Sequence, residues 1–382
     1  MRKEKPVNEL PVMKEGEGIT LFYPHVPSSA IAAVTEVLQS RWIGQGPRVE
    51  QFEKAFTNRF CQNNFSLAVG SGTDALHIAY VLAGLGPGDE VIAPVFSCTA
   101  TNIPLLYQGA KIRFADIDPT TLNIDVLHVK QLVNEKTKAI VCVHYGGLPA
   151  DMDELGQIAK SYSIPIIEDA AAALGATYKG KNIGEISDFT IFSFQAIKHI
   201  TTGDGGMLVL QNPELVSKAE RIRWFGIDRS NKQKGTWEND IWELGYKYQM
   251  TDIGAAMGLA ALNEFDATLA YRQKLYQCYK QGLVGAQGIQ LLGREQHDRT
   301  HAAWLCTARV EKRIDFMNWL RKNNIESGQI HYRNDRYTVL GGRRYDLPNM
   351  DAMEDHYMVL PLHMRMTEAD VEYICHVIKK GW

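Results

Sequence analysis

The run IPIIEDAAAALGA, residues 164–176, is apolar until it meets two carboxylates, Glu168 and Asp169, and then continues in small side chains. No polar residue alternates with the apolar ones before the acidic pair. A strand made of such residues has both faces covered, as in a parallel sheet lying between helices. Six further short runs share that character: SLAV (66–69), EVIAPV (90–95), KIRFADI (111–117), KAIVCVHY (138–145), FTIFSF (189–194) and GMLVL (206–210). Helical stretches separate them, so the pattern predicts an α/β domain built on one large, mostly parallel, seven-stranded sheet.

Outward from this block the signals change. The first twenty residues read as an arm, and SSAIAAVTEVLQSRW (28–42) and VEQFEKAFTNRF (49–60) read as helices divided by the glycine break at 43–47. After LGYKYQMTD a single long helix is expected over 253–283, capped by Thr251 or Asp252. A strand at 302–310, a helix at 313–324, a strand at 325–332, a loop-rich stretch and a last helix opening at Thr367 then form a smaller α+β domain. The expected organisation is an arm at 1–20, a large domain at 21–265, and an interdomain helix with the small domain at 266–382.

Composition narrows the function classes. The chain has 382 residues, 45% of them hydrophobic and 22% charged, with a formal net charge of −3. That balance fits a packed globular protein and gives no basic surface for a nucleic acid. The six cysteines form no CxxC pair, so neither a disulfide framework nor a metal cluster is expected. No apolar run is long enough to span a bilayer and the N-terminus lacks a signal core, so a cytoplasmic protein without membrane partners is expected.

Three polar clusters fall where the expected strands end, the place where open α/β sheets collect ligands. GSGTDALHIAY (70–80) leads Ser71, Gly72 and Thr73 into a helix, a turn that aims N–H groups at an anion such as phosphate. Asp169 ends a buried strand and needs a hydrogen-bonding or cationic partner. FSFQAIKHITTGDGG (192–206) supplies Ser193 and then Lys198, an amine that can be kept partly deprotonated. Phosphate turn, carboxylate, serine and lysine together match pyridoxal phosphate: a lysine for its aldehyde, a carboxylate for its ring nitrogen, hydroxyls and N–H groups for its phosphate.

At these residues the chain resembles the DegT/StrS-type sugar aminotransferases, fold type I pyridoxal-phosphate enzymes that act mainly on nucleotide-linked keto sugars. The resemblance covers nearly the whole chain. It rests on GSGTDAL, PVFSCTATNIPLLYQGAKIRFADIDPTTLNID, VHYGGLPADMDEL, IEDAAAALGATYKGKNIGEISDF, FSFQAIKHITTGDGGM, LGYKYQMTDIGAAMGLAAL and LPLHMRMTEADVEYI. It implies that Lys198 forms the Schiff base, that Asp169 partners the pyridine nitrogen, and that Ser193, Ser71, Gly72 and Thr73 hold the phosphate. Cys98, Ala172 and Gln195 fall at further cofactor positions. Here Ala172 stands where the family has glutamine or histidine, and Cys98 where it has a stacking aromatic. Lys247 stands where family members send an asparagine from a neighbouring subunit, so a homodimer with the site at its interface is implied.

A side branch of the family has histidine in place of that lysine and removes oxygen from sugars. This chain has Lys198, with His199 beside it, so transamination is implied. The implied reaction moves an amino group from an amino acid, L-glutamate, to a nucleotide-linked keto-deoxysugar for lipopolysaccharide, O-antigen or a related glycan. The alternatives are a transaminase of a free keto-acid sugar of the 8-amino-octulosonate type, and a sugar dehydratase using the same cofactor. For the substrate, RWIGQGP (41–47), His144 and Tyr145, the 225–248 stretch and HYRNDRY (331–337) are candidates, with Arg229, His331 and Arg333 among them and His199 beside Lys198 as the expected contacts.

Overall fold

The computed structural model describes residues 12–382 apart from 63, 230, 232–234, 236–239 and 294–296. Each expected strand of the large sheet is present: β1 Phe65–Val69, β2 Glu90–Pro94, β3 Lys111–Ala115, β4 Thr137–Val143, β5 Ile166–Asp169, β6 Phe189–Ser193 and β7 Gly206–Leu210. Their spatial order is β1-β7-β6-β5-β4-β2-β3. Only β7 runs against its neighbours in this sheet; the pairs β6–β5, β5–β4, β4–β2 and β2–β3 are parallel.

The uninterrupted apolar runs resolve into a period of two. Met207 and Val209 face one side with Ile92, Ile140, Cys142, Ile166 and Phe192. Leu208 and Leu210 face the other with Val91, Ala93, Val141, Ile167 and Ile191. Both sides are covered, so no polar position is needed in either register.

The helices are α1 Ser28–Leu38, α2 Pro47–Phe56, α3 Gly72–Leu82, α4 Thr99–Tyr107, α5 Val126–Leu132, α6 Met152–Tyr162, α7 Val216–Arg223, α8 Asp252–Asn263, α9 Phe265–Gly282, α10 Arg313–Lys322, α11 Pro348–Met353 and α12 Glu368–Lys379. α2, α6 and α8 pack on the first face through Phe52, Phe56, Leu155 and Ala255. α3 and α7 pack on the second through Leu76, Ile78, Ala219 and Ile222. None of these helices is long and apolar enough to cross a membrane.

The single helix expected over 253–283 is two helices. The chain leaves helical geometry at Glu264 (φ −99°, ψ 2°), with no proline or glycine at the joint. The two parts serve different cores: α8 buries Ala255 and Leu262 under the large sheet, whereas α9 buries Leu275, Tyr276 and Tyr279 in the C-terminal core. The two residues expected to share one cap also divide. Thr251 caps α8 by accepting from the Gly254 N–H, while Asp252 turns back and accepts from the N–H groups of Gly46, Arg48 and Val49 at the start of α2.

The C-terminal sheet is antiparallel, β8 Ile289–Leu291, β9 Cys306–Val310 and β10 Tyr357–Leu360, in the order β8-β9-β10. The strand expected at 325–332 does not form as one element. That segment carries Glu326, Ser327, Gly328 and Gln329, too polar for a covered strand; it meets the C-terminal sheet at a single bridge between Gly328 and Val359 of β10, while Tyr332–Arg333 pairs with Phe96–Ser97 beside the large sheet. The loop-rich stretch instead hides β10, whose four residues are all buried. The described part of the arm is tied down: the Met13 and Leu21 N–H groups donate to the Glu326 carboxylate.

Candidate active site

Five parallel-running strands deliver their carboxyl ends to one cavity of about 310 Å³. β1 ends in the 70–73 turn, β2 leads to Ser97 and Cys98, β4 to Tyr145, β5 ends at Asp169 and β6 at Ser193.

The turn is locked by its own hydroxyl, since Ser71 Oγ accepts from the Asp74 N–H at 3.0 Å as the N-cap of α3. It is pressed between two strands. A Cβ on Gly72 would lie 3.1 Å from the Ser193 Cβ, and one on Gly206 would lie 2.4 Å from the Ser71 carbonyl oxygen. Ser193 is thereby carried to the same wall as Ser71 and Thr73. Gly206→Ala is expected to push the turn outward and weaken cofactor binding by about 1–3 kcal/mol, the usual penalty of overpacking. Titration of the purified protein with the cofactor checks it; unchanged affinity would show that the turn tolerates displacement.

Asp169 is buried and fixed at both oxygens. Thr101 Oγ1 donates to Oδ2 at 2.6 Å, and the Ala171 N–H donates to Oδ1 at 3.1 Å. Thr101 in turn is bonded to Ser97 Oγ at 2.6 Å. Burial still pushes the carboxyl above its ordinary range, partly offset by these bonds and by the charges of Lys198 and His144. Such a group, aimed at a cavity, gains from a cationic N–H set against it.

Lys198 lies on the loop between β6 and β7. The loop is held by bonds from the Lys198 N–H to the Gln195 carbonyl at 2.9 Å and from the Thr202 N–H to the Phe194 carbonyl at 2.9 Å. Gln195 Oε1 accepts from the Ile197 N–H at 3.2 Å, so that side chain stabilises the loop as well as lining the cavity. Gly203 (φ +81°) turns the loop through a conformation that other residues rarely adopt. Burial pushes the Lys198 amine down to about 8, against the pull of Asp169. A turn of N–H groups, an amine that is partly neutral near physiological pH and a buried carboxylate fit pyridoxal phosphate as a set.

The remaining expected residues divide. Cys98, Ala172, Gln195 and His331 line the cavity. His331 is pushed down to about 3 by burial, so its ring is neutral and offers one donor and one acceptor. His199 does not face the cavity: it is buried, and its Nε2 is bonded to the Ala302 carbonyl at 2.6 Å. Arg333 does not either. It is 1% exposed and engaged by Asp335, Asp351 and Glu354. Arg229 donates to the Gln45 carbonyl outside the cavity, and Lys247 is exposed on the surface. Residues 230, 232–234 and 236–239 of the 225–248 stretch lie outside the described residues.

His144 is structural. Fully buried, it accepts the Ala150 N–H at Nδ1 and donates from Nε2 to Glu168 at 2.7 Å. This explains the second carboxylate of the opening run: Glu168 points to the opposite face from Asp169 and is satisfied there. The residue that sequence reasoning missed is Trp304. It lines the cavity with its ring centroid 3.4 Å from Lys198 Nζ, and in the sequence it is one apolar residue in the strand-like run AAWLCTARV.

Residues 25–379 match the model of the DegT/DnrJ/EryC1/StrS aminotransferase family. The uncharacterized protein MJ1066 of Methanocaldococcus jannaschii is 35% identical over 373 residues, 94% of this chain and 96% of that protein. Among solved structures, AtS13 from Actinomadura melliaura is similar at 35% identity and a TM-score of 0.91, over 97% of this chain and 100% of that one. The sugar aminotransferase CalS13 from Micromonospora echinospora is similar at 32% identity and a TM-score of 0.90, over 95% and 100%.

Proposed function

Because the chain belongs to the DegT/DnrJ/EryC1/StrS aminotransferase family, whose members use pyridoxal phosphate, we propose that it moves the amino group of L-glutamate to the carbonyl carbon of a keto sugar. The acceptor in this reading is a nucleotide-linked keto-deoxysugar made for lipopolysaccharide, O-antigen or a related glycan. The observation that carries it is the meeting of Lys198, Asp169 and the 70–73 turn at a single cavity.

When bound, pyridoxal phosphate supplies an aldehyde that captures amines and a ring that takes up the electron pair left when a substrate C–H bond breaks. The N–H groups of the turn and the hydroxyls of Ser71, Thr73 and Ser193 would hold its phosphate. Asp169 would keep a proton on its ring nitrogen, since a buried carboxylate recovers its charge once a cation faces it. Cys98, Ala172 and Gln195 would border it, given their places in the cavity wall. Lys198 takes the proton from the substrate carbon and returns it on the other side of the transfer, work suited to an amine titrating near 8. His331 would bond a sugar hydroxyl.

Lys198 and His331 are the only basic residues among the described lining residues. Two phosphates of a nucleotide need more positive charge than they give, and this favours a homodimer in which Lys247 reaches the neighbouring site. Mixed dimers with Lys198→Ala on one chain and Lys247→Ala on the other are expected to recover about one working site in two; recovery no better than either single variant refutes the crossing.

A mass-shift screen with glutamate, nucleotide-linked keto sugars and free keto-acid sugars tests the reaction and acceptor together. Exchange of carbonyl oxygen for an amine on a nucleotide-linked acceptor is the expected result. Amination of free keto-acid sugars alone would reassign the acceptor, and loss of oxygen without an amino donor would overturn the transfer.

A further inference from the structure

We propose that Trp304 is a positioning residue whose indole face is the seat on which the Lys198 ammonium rests whenever that amine is free. The inference rests on the reading of Lys198 as the reacting amine.

The geometry is specific. Lys198 Nζ lies 3.4 Å from the ring centroid, whereas Lys179 and Arg299 lie 5.5 and 4.6 Å from the Tyr178 ring. Among the described residues Nζ donates to no oxygen, so the indole face is its close partner. The ring itself cannot drift. Its Nε1–H donates to the carbonyl of Ile197, the residue before Lys198, at 3.1 Å. Phe22, just past the arm, and His331 lie nearly parallel to it, at 6.3 Å and 17° and at 6.1 Å and 25°. Trp304 is only 3% exposed. One residue thus holds both the backbone and the amine of the reacting lysine, from the strand approach that leads into β9.

The chemistry explains why an aromatic face suits this place. An amine that both takes and returns a proton needs its two forms within reach of each other. A carboxylate in direct contact holds the amine charged, and an apolar wall drives it neutral. A ring face attracts the cation moderately and offers the neutral amine no acceptor. Around Lys198, burial and Arg272 on α9 oppose the charged form, while Asp169 at the end of β5 and Cys98 at the start of α4 favour it; His199 on the same loop and His331, both held neutral by burial, face it as uncharged rings.

The test is a titration of Lys198 in the full-length, cofactor-free chain. Trinitrophenylation is run across a pH series and followed by the mass of the Lys198 peptide, in the wild type, Trp304→Leu and Trp304→Phe. The leucine variant is expected to have a midpoint lower by about half to one and a half units, which is the range of a cation–π contact converted to pH. Phenylalanine keeps a ring face and is expected between the two. A midpoint unchanged in Trp304→Leu overturns the seat. So does a phenylalanine variant equal to leucine, because both lose the bond to Ile197 and only one loses the ring. If the leucine variant does not fold, Trp304→Met replaces it. Borohydride fixation of the cofactor in the wild type separates the two ideas: attachment away from Lys198 removes the reading beneath the seat, while attachment at Lys198 with coincident midpoints removes the seat alone.

Discussion

Lys198→Ala is expected to lower turnover by about 10⁴-fold, the upper range for loss of a positioned acid–base group, and to abolish borohydride fixation of the cofactor. The reason is geometric. Of the two basic groups on the cavity wall, His331 is held neutral and weakly basic by burial, so it cannot take over a proton transfer from Lys198. Steady-state kinetics with glutamate, and mass analysis of the borohydride-treated protein, check both parts. Turnover within tenfold of wild type would remove Lys198 from the chemistry. A stability change accompanies the loss. The folded amine gives up its proton near 8 and the unfolded one near 10.5, so between those values the unfolded chain binds more protons and stability rises with pH. Below that window the buried ammonium is a standing penalty. Lys198→Met is therefore expected to melt above the wild type at pH 7 in the cofactor-free state, with the gap narrowing toward pH 10.

Asp169→Asn is expected to lower turnover by about 10²- to 10³-fold, the scale of one misplaced electrostatic group in an active site. The amide preserves shape: its oxygen can still accept from the Ala171 N–H, and its NH2 can donate to the Thr101 hydroxyl, which keeps its bond to Ser97, so the fold is expected to survive. The sign of the stability effect again follows from burial. The Asp169 carboxyl is raised in the folded protein. Between its ordinary and raised values the folded state holds the proton that the unfolded state has lost, so stability falls as pH rises through that window. Without cofactor, Asp169→Asn is thus expected to melt no lower than wild type at pH 7, and the difference is expected to shrink in acid. Kinetics and thermal melts of the same preparation separate the two effects; a variant with unaltered turnover would mean that the ring nitrogen needs no carboxylate.

The large sheet was legible because seven runs needed covering on both faces, a demand written in consecutive residues. Lys198, Asp169 and the 70–73 turn were legible for a related reason: each stands where an apolar run stops. What could not be read depends on partners distant in the chain. Arg333 looks like a free loop cation until Asp351 and Glu354 close on it from another element. His144 sits at a strand end like the cavity residues, but the pairing of β4 with β5 sets it against Glu168. Trp304 gives no local sign that its run leads to Lys198. The joint at Glu264 carries no helix breaker, because it is set by two cores pulling one helical pattern apart.

The place of β7 has a consequence for how this protein comes into being. The register puts Val69 opposite Gly206 and Gly206 opposite Ser193. The floor under Ser71 and Gly72 is therefore supplied by a segment made well over a hundred residues later, and its pairing closes a long loop before any contact offsets the lost entropy. A nascent chain halted short of Gly206 has the serine and glycine of the turn and the Ser71 cap, but not the strand that closes under them. Cofactor capture during synthesis thus reports that the middle strand of this edge has been threaded home.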